Sequence, residues 1–189
     1  MATIDATVGG LAANSYETLV EAEVYFTIRL PLVGWAGDKS VLLIMGTRVL
    51  DAIARPFKQL VTPSSGAPYY RIRRTWTGLP ASATQKLAWP RTGMFDMNGN
   101  AIASNVIPQD LKDALSELAG QLGASDRTLD NDVVVQGLTS VKAGSVSLTF
   151  KEMIESHVLP DAVWNLMPVS WFTDELIVPA YLAEFDVVS

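Results

Sequence analysis

Apolar residues recur at three- and four-residue steps in several stretches of the chain, which is the spacing of one helical face. The first stretch follows Asn14 and Ser15, where Asn14 and Glu17 form a candidate capping box, and it ends at Pro31. A second begins at the candidate N-cap Asp38. The whole pattern predicts helices at about 15–30, 38–55, 108–123 and 160–167.

The second and third predicted helices each carry a leucine-rich face, and two such faces can bury each other. They predict one core that contains Leu42, Met45, Val49, Leu111, Leu115, Leu118 and Leu122. Apolar and polar residues alternate from Ser145 to Phe150, which predicts a β-hairpin at about 133–150, and Tyr69–Arg73 is a candidate short exposed strand. We therefore predict a mainly α fold, a small helical bundle with a projecting β-hairpin, at 1–167, followed by an extended C-terminal arm at 168–189.

The composition adds few groups that could perform catalysis. The chain of 189 residues has no cysteine and one histidine, His157, and no nucleophile elbow, phosphate-binding loop or zinc-ligand spacing occurs in it. We therefore expect no catalytic residues, no metal, no cofactor and no enzymatic activity. No apolar run reaches the roughly 18 residues that a membrane span needs, so no membrane association is expected.

The charge balance bears on nucleic-acid binding. The net charge is −6, whereas nucleic-acid binders usually carry a basic excess because they neutralise phosphates. One basic and aromatic cluster opposes this trend: Tyr69, Tyr70, Arg71, Arg73, Arg74 and Trp76. Its aromatic rings could stack on bases while its arginines hold phosphates, or the cluster could contact another protein chain. The acidic total makes us favour the protein contact.

The last part of the chain is dense in apolar side chains, with acidic residues between them. Pro168 and Pro179 disfavour one continuous helix there. Such a segment could fold back onto its own core or dock on a partner, and we favour docking from about Pro168 onward. The predicted docking residues are Trp171, Phe172, Leu176, Ile177, Tyr181, Leu182 and Phe185.

Four stretches in a fixed order carry a family resemblance. They are Asn14–Phe26, Leu87–Gly93 with its Trp-Pro-Arg run, Ile107–Lys112 and Gly144–Leu148. In this order they resemble the head–tail connector (adaptor) proteins of tailed bacteriophages. Some members of that group are labelled DnaT-like and single-stranded-DNA-binding.

The resemblance implies a structural virion protein. It would form a homo-oligomeric ring, twelvefold in this family, that binds the portal and a tail, tail-terminator or nozzle protein. Genomic DNA would pass through the ring without sequence-specific binding. The protein would lie at the head–tail junction after assembly in the bacterial cytoplasm. The candidate inter-subunit residues are Trp89, Arg91, Arg71, Arg73, Arg74, Trp76, Val146 and Leu148. The alternative function is a single-stranded-DNA-binding replication accessory protein, which the Tyr69–Trp76 cluster would serve.

Overall fold

The computed structural model describes residues 2–55, 58–62, 66–72, 74–125, 140–143, 146–149, 159–174 and 176–179. This part of the chain contains four α-helices: α1 (Leu19–Ile28), α2 (Lys39–Ala52), α3 (Gln109–Ala124) and α4 (Asp161–Trp164), with a 3₁₀ helix at Val169–Trp171. It also contains seven strands: β1 (Lys58–Val61), β2 (Tyr69–Ile72), β3 (Leu79–Pro80), β4 (Arg91–Thr92), β5 (Ser140–Ala143), β6 (Val146–Thr149) and β7 (Leu176–Pro179).

The prediction of a mainly α fold is therefore wrong, because small antiparallel sheets accompany the helices in a mixed α/β domain. Strands β1 to β4 lie in the region between α2 and α3. Their lengths of two to four residues are too short for an alternating pattern to be recognised. Strands β5 and β6 pair antiparallel inside the predicted hairpin range, of which 133–139, 144–145 and 150 lie outside the described residues.

Helix α1 starts later than the sequence pattern predicted. Thr18 is the N-cap, and its side chain and that of Glu21 form a reciprocal capping box. Asn14, the predicted cap, has a different role. Its side-chain oxygen accepts a hydrogen bond from the Asp5 backbone N–H at 2.8 Å, and its Nδ2 donates to the Thr3 carbonyl at 3.0 Å. Asn14 therefore fixes the N-terminal segment to the domain.

Helices α2 and α3 form the centre of the core, and Gly46 lies where they pack together. A Cβ added at Gly46 would lie 2.8 Å from Leu115 Cδ1, so a larger residue would force the Leu115 side chain to move. The four predicted leucines of α3 are buried. On α2, Leu43 and Leu50 are fully buried, whereas the predicted Leu42, Met45 and Val49 are only partly buried beside them.

Five aromatic residues form a second part of the core, which we call the aromatic cluster: Trp76, Trp89, Trp164, Trp171 and Phe172. Trp76 stacks on Phe172 with 4.7 Å between ring centroids, and Trp89 lies 4.8 Å from Trp171. The indole N–H of Trp171 donates to the Phe95 carbonyl at 2.7 Å. The peptide bond between Trp89 and Pro90 is cis.

Strands β1, β2 and β7 form one antiparallel sheet in the order β1-β2-β7. Tyr70 lies between Leu60 of β1 and Val178 of β7, and Ile72 pairs with Leu176. The pairing continues beyond the sheet at the same offset, because a β-bridge joins Trp76 to Phe172. One ladder thus connects the aromatic cluster to the sheet.

Candidate nucleic-acid interface

The described side chains of the β1-β2-β7 sheet are accessible to solvent on both of its faces. Every side chain of its strands that the structure describes is either half-buried or exposed. Leu60, Leu176 and Ile177 are each more than half exposed, although apolar residues on a sheet normally face a core. A sheet with accessible apolar and aromatic side chains on two faces is a candidate binding surface.

The register assigns the side chains of β2 to opposite faces. Residues directly opposite each other in an antiparallel pair share a face, and consecutive residues alternate. Tyr69 and Arg71 therefore lie on one face, together with Ile177, which pairs with Arg71. Tyr70 lies on the other face beside Leu60. We call the first of these the Tyr69–Arg71 face.

The charges of the sheet differ from those of the whole chain. The three strands contain Lys58 and Arg71 and no acidic residue, whereas the chain carries −6. Arg74, which is exposed, follows β2. The ladder offset places it opposite Asp174, which is also exposed. Among the residues that the structure describes here, the basic ones outnumber the acidic ones, and Asp174 lies at the end nearest the core.

This arrangement can bind a flexible polyanion that carries planar rings. A tyrosine ring on an open sheet can stack on a base, and such stacking does not depend on the base. An arginine two residues away on the same face can pair with a phosphate oxygen. Small-molecule sites are usually concave and enclosed, so an exposed sheet face fits an extended strand better than a free nucleotide.

Several residues predicted to contact other subunits lie inside the domain. Trp76, Trp89 and Arg91 are all buried, so the prediction that they form an intermolecular surface is wrong. The Arg91 guanidinium donates to the carbonyl oxygens of Thr77, Ala88 and Gly78 at 2.7, 3.1 and 2.9 Å. The Trp-Pro-Arg run is therefore a structural element that joins loops around the aromatic cluster.

The predicted docking arm divides into two parts in the structure. Trp171 and Phe172 belong to the aromatic cluster, so the chain does not leave its own core at Pro168 as predicted. Leu176 and Ile177 follow in β7 and are exposed. Other predicted site residues cannot be assigned a surface: Tyr181, Leu182, Phe185 and Arg73 lie outside the described residues, and Val146 and Leu148 are described only as backbone positions in β6.

A group of buried polar side chains, which no sequence motif indicated, lies beneath α1. Tyr16 donates to the Asp51 carboxylate, which also accepts the Ala88 backbone N–H at 2.7 Å. Burial, with the Asp51 charge, raises the pKa of Tyr16 well above its ordinary value. Glu17 is also buried, and its carboxyl accepts the Ser116 hydroxyl at 2.7 Å. Burial raises the pKa of Glu17 to about 8, although the Ser116 hydrogen bond acts against this.

A second buried carboxylate shows the opposite behaviour. Glu117 receives two hydrogen bonds from the Arg29 guanidinium, at 2.6 and 2.9 Å, and one from the Tyr25 hydroxyl at 3.0 Å. The Arg29 bonds lower the pKa of Glu117 to about 2. Burial and the neighbouring carboxylate raise the pKa of Tyr25 to about 12. The only sequence signal for these pairs was polar residues on otherwise apolar helical faces.

The described residues contain no group of three or more His, Cys, Asp or Glu side chains arranged to hold a metal ion. None of the helices described combines the length and the apolarity that crossing a bilayer requires. One open depression of about 600 Å³ lies between the 95–99 turn and the α4 region. Its rim includes Phe95, Met97 and Trp164.

Comparison with known proteins gives one match. Residues 64–168 fit the family model described as "Putative DnaT-like ssDNA binding protein". No curated protein and no solved structure matches the chain. The description names single-stranded DNA binding, so it corrects the prediction of a bacteriophage virion protein, and neither the match nor the structure supports a portal, a tail protein or a twelvefold ring. Since the matched region covers more than half of the 189 residues, the chain belongs to the family of DnaT-like ssDNA binding proteins.

Proposed function

We propose that this protein binds single-stranded DNA without turnover and that the Tyr69–Arg71 face contacts the strand. One observation carries the proposal: the register places two half-exposed side chains, Tyr69 and Arg71, on the same face of the sheet. The family description supports the class of ligand, and β2 lies inside the matched region. Both residues belong to the Tyr69–Trp76 cluster, on which the sequence-based alternative of single-stranded DNA binding was founded.

The overall negative charge is compatible with this role because it is carried by other parts of the chain. The charged residues within the three sheet strands, Lys58 and Arg71, are basic. Phosphates therefore meet a locally basic sheet rather than the average charge of the chain. We expect moderate affinity with a clear salt dependence, since few cations take part.

The test compares two tyrosines that are neighbours in sequence but lie on opposite faces. A labelled oligothymidine of about 20 nucleotides exceeds the roughly 4–16 nucleotides that one small domain occupies, and its fluorescence anisotropy reports binding. Tyr69→Ala removes a stacking ring and is expected to raise the Kd about 5- to 100-fold, which corresponds to about 1–3 kcal/mol. Tyr70→Ala is the matched control and should change the Kd less than about threefold.

Three outcomes would contradict the proposal. The first is the absence of oligothymidine binding by the wild-type chain at low salt. The second is an equal effect of Tyr69→Ala and Tyr70→Ala, which would place the strand elsewhere. The third is equal affinity for a duplex of the same length, because stacking requires unpaired bases.

A further inference from the structure

The outward side of α1 carries an exposed apolar row. Val20, Val24 and Ile28 follow at four-residue steps and expose 74%, 62% and 87% of their surface. Leu30 and Val33, in the segment after the helix, expose 79% and 93%. We call these five residues the α1 row. Residues four apart lie above one another on a helix, so the three helical members form a continuous ridge.

Within the described residues, the core packs against the other side of α1 and does not cover the α1 row. The opposite side of α1 packs inward through the fully buried Ala22, and Tyr25 reaches Glu117 of α3. The helix is thus apolar on both its inner and its outer side. Five aliphatic side chains at these exposures amount to roughly 300–600 Å² of apolar surface at about 60–120 Å² each, which is as large as the largest patch on a typical monomer.

The charges beside the α1 row restrict what can cover it. Glu21 and Glu23 border the ridge, and each is held by a lysine of the same chain, Glu21 by Lys112 and Glu23 by Lys39 at 2.6 Å. The border is therefore electrically neutral, although the chain carries −6. A neutral apolar ridge offers nothing to a nucleic acid, and it lets two copies of an acidic chain approach without repulsion at the contact.

We propose that the α1 row is covered by the α1 row of a second copy of this chain, related by a two-fold axis. A two-fold contact uses the same patch on both subunits, and a row of residues at four-residue steps packs against an identical row with a helix crossing near −50°. Apolar area of this size is smaller than the roughly 800 Å² per partner of a standard interface, so the pair is a concentration-dependent dimer. The family match covers residues 64–168 and does not include helix α1, so the proposed dimer does not rest on that match.

Cysteine cross-linking distinguishes a second copy from any other occupant. The native chain has no cysteine, so Val24→Cys supplies a single thiol at the middle of the ridge. Two such thiols at a two-fold helix crossing lie within the Cα separation of about 4.4–6.8 Å that a disulfide allows. Mild oxidation should give a disulfide-linked dimer of Val24→Cys. Leu79→Cys, at a residue 71% exposed elsewhere, is the control and should stay monomeric.

Sedimentation velocity provides the second readout. The wild-type chain should form dimers as concentration rises, and Val24→Glu should raise the dimer Kd at least about 100-fold by placing two unpaired carboxylates at the crossing. Leu79→Glu should leave the Kd unchanged. Both variants should keep the wild-type oligothymidine binding, and they should keep the wild-type melting temperature when it is measured at concentrations where the wild type is monomeric. A wild-type chain that stays monomeric, equal effects of the two glutamates, or no cross-link at Val24→Cys would overturn the proposal.

Discussion

The two ends of the β2–β7 ladder have the same pairing and opposite environments. At the inner end, Trp76 pairs with Phe172 in the aromatic cluster, and both side chains are buried. At the outer end, Tyr69 pairs with Pro179 and neither side chain is buried. Backbone pairing is therefore not what distinguishes a structural position from a binding position here, and the difference lies in what covers the side chains.

This difference predicts where stability and binding should each respond to mutation. Apolar burial is the main source of stability, so changes near the aromatic cluster should alter the free energy of unfolding. The open sheet buries little on its own, so changes there should alter binding. If substitutions in the open sheet also lowered the free energy of unfolding, the sheet would have to be covered in solution.

The first prediction compares the loss of an aromatic ring at the two ends of the ladder, and the largest effect on stability is expected at the inner end. Trp76→Ala should lower the free energy of unfolding by about 3–5 kcal/mol, because it removes a buried ring that contacts Trp89 and Phe172. Tyr70→Ala, at the outer end, should lower it by less than about 1 kcal/mol. Urea denaturation of both variants measures the difference, and similar losses would show that Tyr70 is also part of a core.

The inner end of the ladder was the less predictable one from sequence. The helix faces were recognisable because α3 places Leu111, Leu115, Leu118 and Leu122 at helical steps. Trp76 and Trp89 sit on short loops and strands without a period. Their burial depends on contacts with residues far along the chain: Trp76 with Phe172, and Trp89 with Trp171. Local patterns carry no information about such distant pairing.

The outer end was easier to recognise, because its chemistry is visible in composition alone. Tyr69, Tyr70 and Arg71 stood out as an aromatic and basic group, and the expected exposed strand at 69–73 is present as β2, Tyr69–Ile72. Its partner strand β7 was not predicted, since Leu176–Pro179 looked like part of a docking arm. The interpretation as a protein contact rested on the net charge of the whole chain, which averages over acids that lie far from the sheet.

The second prediction concerns pH and distinguishes the buried interior from the sheet. The pKa of Glu17 is raised from 4.5 to about 8 in the folded chain. The folded state therefore holds a proton that the unfolded state releases between these values, and the free energy of unfolding falls as pH rises from about 4.5 to 8. Glu17→Gln, which stays neutral, should remove this loss and stabilise the chain at pH 8 by about 2–4 kcal/mol, with little change at pH 4.

Glu117 makes the free energy of unfolding depend on pH in the opposite direction. Its pKa is lowered to about 2 by the Arg29 hydrogen bonds, so its contribution is present above about pH 4.5 and is lost as pH falls toward 2. Chemical denaturation across pH 3–8 should separate the two groups. A Glu17→Gln variant whose pH profile matches the wild type would show that Glu17 is ionised in the folded chain.

The third prediction compares the arginines of the two regions. Arg91 is buried and satisfies three carbonyl oxygens, and burial lowers its pKa. Arg91→Met should lower the free energy of unfolding by about 2–3 kcal/mol, because those carbonyls lose a charged donor. Thermal denaturation measures the loss. A stable Arg91→Met chain with weakened oligothymidine binding would mean that the guanidinium serves the ligand instead of the fold.

The smallest effect on stability is expected for Arg71, because it is only half-buried whereas Arg91 is buried. Arg71→Gln should lower the free energy of unfolding by less than about 1 kcal/mol. It removes one phosphate contact, so the slope of log K against log salt for oligothymidine should become shallower by about 0.7. Arg48→Gln is the matched control because Arg48 is an exposed arginine of α2. If both variants shift the slope equally, the attraction comes from the overall charge of the chain, and the Tyr69–Arg71 face is not where the phosphates bind.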